Sequence, residues 1–478
     1  MSQVSKGFLW SGVERFSLQG ISFLLSIIIA RIVSPSSYGL IVMIQVFLSF
    51  SQLFIDGGFA NALIQKKDRT EKDYNTVFIF NFVVAVFLYS ILFLTAPLIS
   101  NFYNEPALIP ITRVISLNLL LSSLTIVQRT RLTINLNFKT QTKVGIVSVI
   151  VSGIIGVICA YSGLEVWSLV IQSLVSQAMS SFLLIYYSHW FPKIEFSQSS
   201  FQGLFNYGSK MLANNLLTNL YLNLYNLVIG KKYSSADLAY YNRGFTLSNF
   251  PSVNISDVLN RVIFPVLTQL QDNREKMLEA YYKYLRLSHY IILPLMALVI
   301  ILAEPLIFII LGNKWLPSVI YLKIFSVTYM FHAWITQSTN IIAAVGQSGI
   351  ILKYQFLKRT ISLILLLSTI SISVEAVCWG IMANSIIELL VNLYLDKKVL
   401  NVNPVEQLKS QLDIIIVVFL SSVAVWLFLF FVKNVYMQLI GGVFIGFALY
   451  VLFTFLFNLK EKSIYIDFYI KVKSYVSK

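Results

Sequence analysis

The chain is 478 residues long, 57% of them hydrophobic and 12% charged, with a formal net charge of +15. A charged share about half that of an ordinary soluble domain excludes a soluble fold. Cys159 and Cys378 both sit within apolar runs, which argues against a disulfide framework or a thiolate metal site.

In chain order, long apolar runs fall at residues 8–33, 39–64, 75–100, 109–128, 144–163, 166–188, 204–230, 236–264, 286–311, 316–345, 349–372, 374–395, 411–432 and 435–457. A bilayer crossing takes about 20 mainly apolar residues, so the expected fold is an all-α polytopic membrane protein of fourteen transmembrane helices. Glu14 and Arg15 interrupt the first run and no small-residue cleavage site follows, so that helix is expected to be retained. After it comes a turn in which Ser34 can accept from the free N–H groups of the next helix. Pro35 would occupy that helix's first turn, where a missing N–H costs nothing.

The seventh run carries Lys210, Asn214, Asn215, Asn219, Asn223 and Asn226, and the eighth Arg243, Asn254, Asp257 and Arg261. Such runs are expected to face protein or water instead of lipid. Asp272 and Glu275 have capping-box spacing, so a helix is expected to begin there and continue through Leu285 into the ninth run.

Orientation follows from charge, because cytoplasmic segments retain Lys and Arg. With an even helix count, segments on the side of the termini hold 25 of these residues and opposite segments hold 6, which puts both termini in the cytoplasm and the Arg31 turn outside. The positive charge is then mainly a topology signal. No basic soluble domain is visible to carry it to nucleic acid.

A shift of 200 residues lays Ala30-Arg31-Ile32-Val33-Ser34 over Gly230-Lys231-Lys232-Tyr233-Ser234 and Phe50 over Phe250, while Pro97 and Pro305 hold matching places before later connectors. An internal repeat would divide the chain into six helices at 1–197, six at 198–403, and a pair with a basic tail at 404–478.

Several segments carry a family resemblance. Gly7-Phe8-Leu9-Trp10-Ser11-Gly12, followed by Ala30-Arg31-Ile32-Val33-Ser34-Pro35-Ser36-Ser37-Tyr38-Gly39, resembles the opening of the polysaccharide transporters of the multidrug, oligosaccharidyl-lipid and polysaccharide exporter superfamily. Asp56-Gly57-Gly58-Phe59 with Ala62-Leu63-Ile64-Gln65 is similar to the end of that family's second helix, and Leu311-Gly312-Asn313-Lys314-Trp315-Leu316-Pro317 to its Gly-x-x-Trp-x-Pro connector. The likeness extends to about residue 400; the last two helices match only in hydropathy.

The resemblance implies two six-helix lobes in a V around a central cavity that opens alternately to either side. It implies a flippase for undecaprenyl-diphosphate-linked oligosaccharide in a bacterial inner membrane. The implied partners are that substrate, membrane lipids, a polysaccharide polymerase and export machinery, with no nucleic acid. No cofactor is expected, and a coupling ion, H+ or Na+, is left open.

Carrying a diphosphate and a sugar headgroup through a bilayer calls for cations and amides facing a wet cavity. The candidate substrate-binding residues are Arg15, Lys210, Asn215, Asn219, Asn223, Tyr241 and Arg243. Arg15 alternatively snorkels to headgroups or pairs with Glu14. The amides of the seventh run recur every three or four residues on one helix face, which suits either a sugar-binding wall or interhelical bonding. Arg243 could hold a diphosphate bidentately beside the ring of Tyr241. Asp56, Arg31, Lys231 and Pro251 are candidates for coupling or gating, with a structural helix ending and a static kink as the alternatives at Asp56 and Pro251. His332, Lys323 and Glu388 are further ionisable groups in apolar runs, and a lone histidine there is most simply hydrogen-bonded.

Two competing functions remain in view. A membrane polymerase or glycosyltransferase generally has a sizeable exterior loop, and none is visible; a phosphate loop is also missing, since Gly230-Lys231-Lys232 lacks the first glycine and the hydroxyl. A cation-coupled drug antiporter would lean on membrane carboxylates, whereas the charges in these runs include Arg15, Lys210, Arg243, Arg261 and Lys323.

Overall fold

The computed structural model describes residues 3–463 and 465, with side chains from residue 18 onward. All fourteen apolar runs are helical, and the described residues contain no strand. Nine stretches of the described residues are long and apolar enough to cross a membrane, or ten if Leu108–Ser123 and Ile126–Ile134, bent by 40°, form one span. The expectation of fourteen apolar crossings is therefore met only in part: the first run lies partly outside the described residues, which leave a shorter apolar helix at Leu18–Ile32, and polar content sets three others apart. The helices at Gln198–Lys232, Ser235–Gln269 and Ser348–Thr369 have spanning length but carry the amides and Lys210, then Arg243, Asp257 and Arg261, then Lys353, Lys358 and Arg359.

Backbone contacts divide the chain into two compact units, Met1–Ala239 and Tyr240–Lys478. The first begins with α1 (Gln3–Ile32) and α2 (Pro35–Asp56). Ser34 caps α2 by accepting from the Ser37 N–H, with Pro35 in the first turn. The chain then breaks at Gly57 and Gly58, both at positive φ (53° and 73°), before α3 (Phe59–Gln65). Two consecutive left-handed residues are readily adopted only by glycine, so the predicted second run bends here.

Next come α4 (Glu71–Tyr103), α5 (Leu108–Ile115), α6 (Leu117–Ser123), α7 (Ile126–Ile134), α8 (Phe138–Tyr161), α9 (Val166–Ser188) and α10 (Gln198–Lys232). Glycines on α8 bring α1 close: a Cβ on Gly145 would lie 2.8 Å from Leu18 and one on Gly153 2.2 Å from Leu25. Thr70 and Asp73 form a reciprocal capping box at the start of α4, and the buried Asp73 carboxylate takes both contacts from Lys66 Nζ, at 2.7 and 2.8 Å. Beside it, Glu71 accepts from Arg131 and from Trp190 Nε1 (2.8 Å). The connector between α9 and α10 is held by the same element: Lys193 N–H donates to Asn75 Oδ1 and Ser197 N–H to Thr76 Oγ1, each at 3.0 Å.

The second unit contains α11 (Ser235–Gln269) from Tyr240 onward, α12 (Arg274–Ile301), α13 (Ala303–Leu311), a 3-10 turn at Asn313–Trp315, α14 (Ser318–Met330), α15 (His332–Ala344), α16 (Ser348–Thr369), α17 (Val374–Leu400), α18 (Pro404–Lys409), α19 (Leu412–Phe431) and α20 (Val435–Leu456). The α12 cap is Asn273, whose side chain accepts from the Lys276 N–H, one residue beyond the predicted Asp272. The helix does run on through Leu285 into the ninth run.

Polar contacts organise this unit. The hydroxyls of Ser248, Ser252 and Ser256 and the amide of Asn260, one per turn of α11, meet Ser326, the Tyr329 carbonyl, His332 and Gln337 in turn on α14 and α15. Small polar residues let helices approach closely and bond across the gap, and a Cβ on Gly244 would sit 2.7 Å from that of Tyr321. Asp396 on α17 is fully buried and accepts from Ser338 (2.6 Å), Gln407 (2.9 Å) and Tyr281 (3.1 Å). Arg286 on α12 makes paired bonds to Asp413 and Glu461, tying α12 to α19 and to the segment after α20.

The two units repeat an order of elements. A turn joins α1 to α2 and, 200 residues later, α10 to α11; Pro97 and Pro305, at matching places, are 208 apart, as are the starts of α9 and α17.

Candidate functional site

In the first unit a polar cavity of about 560 Å³ is lined by α1, α2, α6, α8 and α9. Gln45, Ser49 and Gln52 project from α2 at spacings of four and three, so one helix face supplies them all. Ser22, Asn118, Ser152 and the Gln172, Ser173, Ser176 and Gln177 cluster complete the polar lining. Ser173 Oγ accepts from Asn118 Nδ2 (2.9 Å), and Gln52 Oε1 accepts from Ser122 Oγ (2.8 Å). Asn118 Oδ1 is buried and makes no hydrogen bond. A Cβ on Gly156 would lie 3.0 Å from that of Gln172, so the glycine makes room for this amide. The charge-centred sequence reading missed this site, although the Gln-Ser-Gln spacing within an apolar run was there to be seen.

One lining residue, Ser49, also ties α2 to α10. Ser49 Oγ donates to Asn219 Oδ1 (3.2 Å), and Asn223 Nδ2 reaches both Asn219 Oδ1 (3.0 Å) and Ser49 Oγ (3.5 Å). The amide stripe thus faces α2, and in this conformation Asn219 and Asn223 serve as interhelical bonds. The helices run antiparallel with backbones close at each end, Gly58 against Gly208 and Gly39 against Ser235. Half-buried Asn215 lies between Gly208 and Asn219. Lys210 is exposed and nine residues, about two and a half turns, from Asn219, which puts it on the opposite side of α10. Arg15 falls on α1, and its side chain lies outside the described ones.

On α11, half-buried Arg243 lies over the ring of Trp315, 5.1 Å from its centroid, and Tyr240 meets the same indole edge-on at 6.0 Å. The expected aromatic partner, Tyr241, is instead a core residue, 4% exposed and packed on Phe325 at 5.4 Å. Two residues of helix turn a side chain by about 200°, so Tyr241 and Arg243 cannot share a face. The Gly-x-x-Trp-x-Pro connector thereby acquires a role: it delivers a fully buried indole to Arg243. The face of α11 opposite the serine ladder carries Arg243, Asn254, Asp257 and Arg261, spaced at helical repeats.

The remaining candidates lie at helix ends or on α11. Ser34 N–H (3.0 Å), Ser34 Oγ (2.8 Å) and Ser37 Oγ (3.0 Å) all donate to Glu165 Oε2, from the turn between α8 and α9, and exposed Arg31 adjoins this corner. At the second corner Asp237 replaces that glutamate from within the helix, accepting from Ser234 Oγ at 2.6 Å. Lys231 Nζ donates to the Phe102 carbonyl at the end of α4 (2.5 Å), a favourable place for a cation. Asp56 ends α2, accepts from the Ala60 N–H, and has a buried Oδ1 without a hydrogen bond. Pro251 lies inside α11, which runs unbroken through it and Pro265. His332 shares a hydrogen bond with Ser256 (3.4 Å). Among the described residues, no group of three or more His, Cys, Asp or Glu is placed to hold a metal ion.

Apolar spanning helices packed around amides and hydroxyls, with polar helices of spanning length beside them, define a multi-pass membrane protein with a polar interior. The family model described as polysaccharide biosynthesis protein matches residues 28–320, and the chain belongs to that family. It is 22% identical to the teichuronic acid biosynthesis protein TuaB of Bacillus subtilis over 74% of this chain and 75% of that one. To the lipopolysaccharide biosynthesis protein WzxC of Escherichia coli it is also 22% identical, over 74% and 72%. Its fold is similar to that of the lipid II flippase MurJ in an inward closed conformation, with a TM-score of 0.76 and 16% identity over 96% of this chain and 99% of that one.

Proposed function

We propose that this protein moves undecaprenyl-diphosphate-linked oligosaccharide from the cytoplasmic to the outer face of a bacterial inner membrane, for exopolysaccharide, capsule or O-antigen synthesis. The observation that carries this is the pair α10 and α11. Each has 35 residues, about 52 Å of helix, and so exceeds the roughly 30 Å hydrocarbon core while presenting amides or charges along its length. Helices of that kind cannot face lipid without cost, and they give a large polar headgroup a route.

In this reading fourteen helices cross the membrane, both termini are cytoplasmic, and transport proceeds by alternating access. Arg15, Lys210 and Arg243 meet the diphosphate. Asn219 and Asn223 exchange their bonds with Ser49 of α2 for sugar hydroxyls when α10 parts from it, Asn215 joins them, and Arg31, Lys231, Asp56 and Pro251 act in gating or coupling. The family match and the fold shared with a lipid II flippase support the reading.

The test is the lipid-linked intermediate that accumulates when the protein is removed. Units accessible only from the cytoplasmic face are expected. Units accessible from outside but unpolymerised would instead place the missing step at polymerisation, and no accumulation would favour small-molecule export.

A further inference from the structure

We infer that the connector between α9 and α10 is a membrane anchor: Phe191, Ile194 and Phe196 enter the headgroup layer of the cytoplasmic leaflet, where Lys143 and Lys193 hold acidic lipid headgroups. The transport reading above supplies only the name of the leaflet, through its placing of both termini in the cytoplasm.

The connector, residues 189–197, is non-helical and follows a helix long and apolar enough to span a membrane. Three of its large apolar side chains are exposed, Ile194 fully, Phe191 by 71% and Phe196 by 52%. A concentration of that kind on a short segment marks a contact surface. The connector cannot relieve the exposure by folding inward. Trp190 already fills the inward direction, packed edge-on against Tyr74 and Phe78 of α4 and bonded to Glu71 at 2.8 Å. The N–H groups of Lys193 and Ser197 are fixed to Asn75 and Thr76, each at 3.0 Å. Phe191, Ile194 and Phe196 are therefore held outward.

Two observations make lipid the occupant. The first is continuity, because exposed aromatic residues carry on into both flanking helices. Phe182 and Tyr186 are exposed one turn apart near the end of α9. On the other side, Phe196 meets Phe201 at 5.9 Å, and Phe201 stacks at 5.3 Å on Phe205, which is again exposed. The second is charge. Lys143 lies 5.0 Å from the ring of Tyr187, in the last turn of α9, and Lys193 is exposed within the connector. Glu195, the acid of this segment, is paired with Lys72 at 3.6 Å, so cations face outward with the rings. Aromatic and basic side chains together at the end of a span belong to the membrane–water interface, and acidic leaflets attract such lysines.

The backbone sets the depth. Irregular main chain exposed to lipid is not tolerated in the hydrocarbon core, so the connector lies at headgroup level and only its side chains reach the acyl boundary.

The experiment uses the full chain in vesicles of phosphatidylethanolamine and phosphatidylglycerol, with Cys159→Ala removing the partly accessible native thiol while buried Cys378 stays. One environment-sensitive fluorophore is placed at Ile194→Cys or, as the water-facing control, at Gln271→Cys in the exposed turn between α11 and α12. Spin-labelled lipid should quench the Ile194 probe about threefold more than the Gln271 probe. Spin-labelled phosphatidylglycerol should quench it about twice as strongly as spin-labelled phosphatidylcholine at equal mole fraction, and Lys143→Gln with Lys193→Gln should remove that difference.

Equal quenching at the two positions overturns the anchor. So does an Ile194 probe in apolar surroundings that no spin-labelled lipid quenches, since a partner protein or a second copy would then cover the surface. Equal quenching by the two lipids in the chain with both lysines overturns the assignment of acidic headgroups. The leaflet is read separately: the thiol of Gln198→Cys, exposed at the start of α10, should react with a membrane-impermeant maleimide in inside-out vesicles and not in intact cells. The opposite result overturns the cytoplasmic leaflet together with the orientation above, and leaves the lipid contact standing.

Discussion

Gly39 and Ser235 touch backbone to backbone: a Cβ built on Gly39 would lie 1.7 Å from the Ser235 carbonyl oxygen and 2.8 Å from its Cα. The glycine that closes the Ala30–Gly39 segment thus has a physical reason. Gly39 is α-helical, so its left-handed freedom is irrelevant there; only its lack of a side chain lets the starts of α2 and α11 meet.

Gly39→Ala should lower the melting temperature of the purified protein, and Gly39→Val should sharply reduce the folded amount recovered. The obstacle is main chain and cannot rotate away, so the cost should reach the upper part of the 1–3 kcal/mol range typical of overpacking, about 3 kcal/mol. An unchanged melting curve for Gly39→Val would mean that this approach does not hold in the membrane.

At the neighbouring corner, Glu165→Ala removes the acceptor shared by Ser34 N–H, Ser34 Oγ and Ser37 Oγ. The site is exposed, so water takes over part of these bonds and a loss of about 1 kcal/mol is expected. Glu165→Gln should lose less, because an oxygen acceptor remains. Thermal melting of the two variants side by side checks the order.

Arg286→Met leaves Asp413 and Glu461 facing each other without their cation, and breaking a buried pair in this way costs about 3–5 kcal/mol. The triple variant Arg286→Met, Asp413→Asn, Glu461→Gln should recover much of that loss. Size-exclusion profiles of the solubilised chains provide the measurement; a triple variant as unstable as the single one would mean that Arg286 acts by packing alone.

For transport, Arg243→Ala with Lys210→Ala should abolish export at an unchanged amount of protein in the membrane. Arg243→Lys should fall between, since lysine keeps the charge but not the planar group that lies over Trp315. Full export by the double alanine variant would rule out a part for these cations in moving the cargo.

Helix positions were legible because apolar runs are long and their ends are marked: the predicted 166–188 coincides with α9, and Ser34-Pro35 caps α2 as read. Breaks within runs were not. The 109–128 run is three short helices, and the 286–311 run divides after Ile301, because hydropathy is blind to where a backbone turns without changing composition. The seventh run's amides were recognised as a single face, but their partner, Ser49, is 170 residues away in sequence, and pairing at that distance leaves no local signature. The pairing of Tyr241 with Arg243 failed for a different reason: neighbours in sequence point to different sides of a helix. The cavity went unread since neutral amides and hydroxyls scattered over five helices rank below a single arginine in any search led by charge.

The connector between α9 and α10 carries a mechanical consequence. Its backbone N–H groups at Lys193 and Ser197 are fastened to Asn75 and Thr76, both buried in α4, and Trp190 is pinned to Glu71. A link held at three points has no slack. It acts as a short crank where a loose tether could have stood, so displacement of the first turns of α4 is handed directly to the start of α10.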